Sequence, residues 1–74
     1  MKNFMVTYSN NTKAIICTTN INQARAVATV HSWHTSYEIA TVKVKRIPKH
    51  IIKVNGYDIG IPKSDGKTRV LDLK

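Results

Sequence analysis

Residues 37–61, from Tyr37 to Ile61, read YEIATVKVKRIPKHIIKVNGYDIGI: three β-type runs separated by a turn around Pro48 and a second turn at Asn55-Gly56. Asn-Gly supplies the two positive φ angles of a two-residue type I′ hairpin turn, and apolar runs flank it on both sides. That turn sets Val54 opposite Tyr57, Lys53 opposite Asp58 and Ile52 opposite Ile59. The pleat then places Ile52, Val54, Tyr57 and Ile59 on one apolar face. A slip of one residue would send this apolar set to the other face, so the register is specified.

The run before Pro48 alternates too, with Ala40, Val42 and Val44 on one side and Thr41, Lys43 and Lys45 on the other. If its strand reversed through a two-residue loop of Pro48 and Lys49, Val44 would face Lys53. A three-residue connection or a bulge returns Val44 to the side of Ile52 and Val54, and is preferred. Lys43, Lys45 and Lys53 then share a solvated sheet face, with Arg46 and Lys49 near the turn.

Working outward toward the N-terminus, Phe4, Val6 and Tyr8 alternate, Ser9-Asn10-Asn11-Thr12 carries turn chemistry, and Lys13 to Cys17 reads as a second strand. A two-residue Asn10-Asn11 turn predicts Val6 opposite Ile15 and Phe4 opposite Cys17, which makes Cys17 a core residue. Met5, Ala14 and Ile16 would occupy the other face, apolar enough to be partly covered by a strand end, the helix or another subunit. Asn20 followed three positions later by Gln23 has the spacing of a capping box. The helix it opens runs from Ile21 to about Trp33 with Ile21, Ala24, Val27, Ala28 and His31 on one flank. β-branched Val27, Thr29 and Val30 favour a competing strand over 26–33, but Ala24, Ala26 and Ala28 favour the helix. Toward the C-terminus, residues 62–67 break the pattern, and 68–73 form a short last strand or a frayed end. The fold class expected is α+β: a small, mostly antiparallel sheet with one helix on one face, in the order ββαβββ with an optional final strand.

The 74 residues suit one domain spanning 1–74, near the size at which a single apolar core just suffices, so self-association would supplement stability. Twelve Lys and Arg against four Asp and Glu give a net charge of +8, which favours DNA, RNA or an acidic protein surface as partner. No acid lies between Glu38 and Asp58, whereas Lys43, Lys45, Arg46, Lys49 and Lys53 all do. These five are the candidate binding residues, with Arg46 able to grip a phosphate through two N–H groups and the lysines acting as point charges. The bland explanation is that edge lysines deter aggregation. Trp33 and Tyr37 are the candidate aromatic contacts, as stacking platforms for bases or apolar anchors for a protein. For Trp33, burial is the ordinary outcome in so small a domain.

Other chemistry finds little support. Cys17 is the only cysteine, so no intrachain disulfide can form and a reducing, cytoplasmic setting is the default. No run reaches the ~20 apolar residues that span a bilayer, and no integral membrane partner is indicated. His31, His34, His50 and Cys17 lack any metal-site spacing, and no catalytic pairing or phosphate-binding glycine loop exists, so no metal, cofactor or enzymatic activity is expected. The Asn-, Ile- and Lys-rich character suits a small accessory protein of a phage or mobile element.

Overall fold

The computed structural model describes residues 1–35 and 43–73, with the backbone alone at 34 and 35. In chain order the elements are β1 (Lys2–Thr7), β2 (Lys13–Thr18), α1 (Ile21–Thr35), β3 (Lys43–Ile47), β4 (Lys53–Val54), β5 (Tyr57–Asp58) and β6 (Arg69–Leu73). This is the α+β order read from the sequence, with the final strand present. Four strands form an antiparallel sheet in the order β3-β1-β2-β6, while β4 and β5 make a separate two-stranded sheet.

The first hairpin departs from its expected register by one residue. Val6 pairs with Ala14 and Phe4 with Ile16, where Ile15 and Cys17 were expected. Tyr8 N–H donates to Thr12 C=O at 2.9 Å, Asn11 N–H donates to Tyr8 C=O at 3.0 Å, and Asn11 has φ +67°. The loop is therefore three residues, Ser9 to Asn11, with Asn11 taking the left-handed position that closes a type I turn into a bulge. Because side chains alternate, that one extra residue exchanges the faces of β2. Ala14 and Ile16 join Phe4, Val6 and Tyr8, whereas Ile15 and Cys17 lie on the side of Met5.

α1 covers the first of these faces. Asn20 Oδ1 accepts the Gln23 N–H at 2.8 Å, the cap that starts the helix. Ala24 and Ala28 are buried, and their small side chains let the helix sit close to Phe4, Val6, Tyr8 and Ile16. The Tyr8 hydroxyl, buried beneath the helix, donates to the Ala28 carbonyl at 3.0 Å. Ile21, expected on this flank, is half exposed at the first turn.

The second face is covered rather than solvated. The expected pairing of β3 with β4 does not form. β3 pairs with β1, setting Asn3 against Ile47 and Val6 against Val44. After Ile47 the chain leaves the sheet through a turn in which Ile51 N–H donates to Pro48 C=O at 3.0 Å. The β4–β5 hairpin then lies over the sheet, packing Ile51, Val54 and Ile59 against Ile15, Ile47 and Leu73. Asn55 (φ +50°) and Gly56 (φ +81°) form the left-handed pair of the type I′ turn, with Val54 opposite Tyr57 and Lys53 opposite Asp58 as read from the sequence. Asn3 Nδ2 donates to Gly60 C=O at 3.2 Å and fastens the end of the hairpin to β1. Two apolar cores thus sandwich one sheet, and β2 is buried from Ala14 to Thr18. Ile52 and Tyr57, expected in the core, are half exposed, and the hairpin packs Ile51, Val54 and Ile59 against the sheet in their place. No described helix is long and apolar enough to cross a membrane.

Candidate nucleic-acid interface

β3 is an edge strand, and three of its five side chains are exposed cations: Lys43, Lys45 and Arg46. By register Lys43 and Lys45 stand on the hairpin-covered side with Ile47, while Arg46 shares the helix side with Val44. Lys49 is exposed in the turn that follows. Lys53 is exposed on β4, and since it alternates with the inward Val54 it stands on the outer surface of the hairpin, opposite Asp58. The single flat face expected for Lys43, Lys45 and Lys53 is therefore not formed, because β3 and β4 belong to different sheets. What forms instead is a cationic edge, Lys43 to Lys49, that projects charge to both sides of the sheet.

A shallow cavity of about 290 Å³ adjoins this edge, lined by Thr7, Tyr8, Ser9, Asn11 and Lys43. Its lining is polar, and Lys43 brings the one ammonium to it; the Tyr8 hydroxyl is already committed to the Ala28 carbonyl. Nothing in the linear spacing joins Lys43 to the Ser9–Asn11 turn; only the pairing of Thr7 with Lys43 does so. Arg69 pairs with Asp65 and His31 with Asp72, and neither pair engages the cationic edge.

Trp33 is 70 % exposed rather than buried, because α1 presents Ala28 and Ser32 to the sheet and turns Trp33 away. Tyr37 lies outside the described residues, as does the side chain of His34. Cys17 is 8 % exposed and lies on the side of the sheet opposite α1, so the sheet separates it from His31. His31 instead sits with its Nε2 2.6 Å from Asp72 Oδ1, the imidazole donating to the carboxylate and joining α1 to β6. That contact was invisible to sequence reading, since 41 residues separate its members. His50 is exposed in the turn after Pro48. Among the described residues no group of three His, Cys, Asp or Glu side chains could hold a metal ion.

Asp65 and Arg69 form a bidentate pair at the start of β6. The hydrogen bonds from Arg69, with a further one from the Lys67 N–H, lower the Asp65 carboxyl from its ordinary 3.8 to about 2. No family model matches the sequence, and neither a curated protein nor a solved structure matches the chain.

Proposed function

We propose that the protein binds nucleic acid through its phosphate backbone, using the cationic β3 edge and the turn beyond it. The observation that carries this reading is the run of exposed Lys43, Lys45, Arg46 and Lys49, with the polar cavity beside Lys43 as a seat for one phosphate. A strand edge that projects cations to both sides suits a curved polyanion, whose successive phosphates pass on either side of the sheet. Arg46 supplies a planar two-donor contact and the lysines supply charge. Lys53, on the outer hairpin surface, extends the positive field without sharing the strand. The proposed contacts are to phosphates, which carry no sequence information, so the affinity they give is electrostatic and tolerant of sequence.

Fluorescence anisotropy with single- and double-stranded DNA and RNA tests this reading. With about four phosphates neutralised, the slope of log K against log salt is about −3.6, and affinity falls on the order of 10²-fold between about 50 and about 200 mM salt. Changing Lys43 and Lys45 together to Glu removes about half of that slope. No binding to any of the four polymers at the lower salt would overturn the proposal.

Trp33 favours a second reading. A 70 % exposed tryptophan beside half-exposed Val30 offers an apolar anchor for a protein whose acidic surface meets the basic edge. In that case Trp33→Ala abolishes partner binding, whereas phosphate-dominated binding keeps its salt slope in the same variant.

A further inference from the structure

The two edges of the four-stranded sheet are built differently. β3 is guarded by Lys43, Lys45 and Arg46, and a row of cations opposes the docking of another strand. β6 is guarded less: its one cation, Arg69 at the start of the strand, is paired with Asp65, and Val70 and Leu71 follow, 38 % and 37 % exposed, one on each face by alternation. Among the described residues no strand pairs with the outer side of β6. Apolar surface continues away from it on both faces. On the helix side, Val70 joins Val27 and Val30 around an open cavity of about 330 Å³. On the hairpin side, Leu71 joins Ile59 and the strongly exposed Ile61 around one of about 360 Å³, whose lining also carries Asp58, Lys63 and Arg69.

We propose that β6 pairs antiparallel with β6 of a second copy, about a two-fold axis normal to the sheet, to give a continuous eight-stranded sheet. Charge selects a second copy as the occupant. Arg69 is paired with Asp65 and Asp72 with His31, so both charged side chains of β6 are matched within the chain and ask nothing of a partner. An acidic partner would find its complement at β3 instead. Joining two copies at β6 also places the two cationic β3 edges at opposite ends of the sheet, which keeps repulsion between chains of charge +8 low.

Symmetry narrows the register. A two-fold axis normal to the sheet keeps each face on its own side, so paired residues differ by an even number of positions. Centring on Arg69 would oppose two guanidinium groups, and centring on Asp72 would oppose two carboxylates. Centring on Val70 sets Val70 against its copy and Arg69 beside Leu71, with the Val27 and Val30 side chains of both helices flanking the seam. This assembly is independent of the nucleic-acid reading, since it uses the opposite edge.

Sedimentation velocity over a concentration series, at low and moderate salt, provides the test. The expected result is a reversible dimer that tightens as salt rises, because screening relieves the repulsion between the copies. Val70→Lys weakens the dimer at least tenfold while circular dichroism stays unchanged, and Lys45→Glu leaves it intact. Val70→Cys gives a disulfide-linked dimer under mild oxidation, and Lys45→Cys does not. A protein monomeric at every concentration and salt would overturn the proposal. So would a dimer equally tight in folded Val70→Lys, or a Val70→Cys variant that cross-links no better than Lys45→Cys. If Val70→Lys fails to fold, the cysteine pair decides.

Discussion

At the scale of single residues, the ion pair of Asp65 with Arg69 has the clearest solution signature. Because the Asp65 carboxyl is held at about 2 rather than 3.8, it is deprotonated more readily in the fold than in the unfolded chain. Its contribution to stability is complete above the ordinary carboxyl range and disappears as pH falls through about 2. Both partners are exposed, so the effect on global stability is small and the side-chain titration is the sensitive readout. NMR titration should place the Asp65 midpoint near 2, and Arg69→Ala should return it toward 3.8. A midpoint unmoved by that substitution would show that the guanidinium is not the cause. The sequence offered both residues but not their meeting: Asp65 and Arg69 are four apart in a stretch that reads as turn and then strand, where such spacing carries no rule.

At the scale of elements, the hairpin at Asn55-Gly56 was legible because one dipeptide determines both turn type and register. Gly56 has open space where a Cβ would go, so Gly56→Ala meets no clash and pays only for its left-handed backbone. The docked hairpin should lose about 1 kcal/mol, seen as roughly fivefold faster hydrogen exchange at the Ile59 amide that bonds Ile52 C=O. The Asn20 cap was legible for a similar reason, since side chain and backbone partners lie three residues apart. The first hairpin was not. Asn10-Asn11 is compatible with a two- or three-residue loop, and the energetic difference lies in which face of β2 each core receives. Ala14 and Ile16 suit the space under α1, while Ile15 suits the hairpin side, but the run from Ala14 to Cys17 is apolar at every position and does not declare a parity. The same ambiguity concealed the second core. A strand apolar on both faces announces that it is covered twice without saying by what. The basic residues were legible as exposed cations; their grouping was not, because it depended on whether β4 paired with β3 or folded over the sheet.

At the scale of the whole molecule, the two coverings of the sheet differ in how firmly they hold. α1 is a 15-residue helix capped at its start and tied to the sheet through Tyr8 and His31. The hairpin comprises two strands of two residues, anchored by Val54, Ile59 and the bond from Asn3 to Gly60. Native-state hydrogen exchange should therefore show the greatest protection in β1 and β2, with the amides of β4 and β5 opening at lower free energy. Equal protection in both layers would mean that the sandwich opens as one unit. Double burial also bears on how such a chain can diverge. Ala14, Ile15 and Ile16 each answer to one covering layer or the other, and Cys17 and Thr18 after them are buried, so drift is costly along all of β2 beyond Lys13. Variation is left to exposed segments such as 61–68, and lineages descended from this fold should preserve a short apolar signature in β2 long after the rest of the chain has ceased to align.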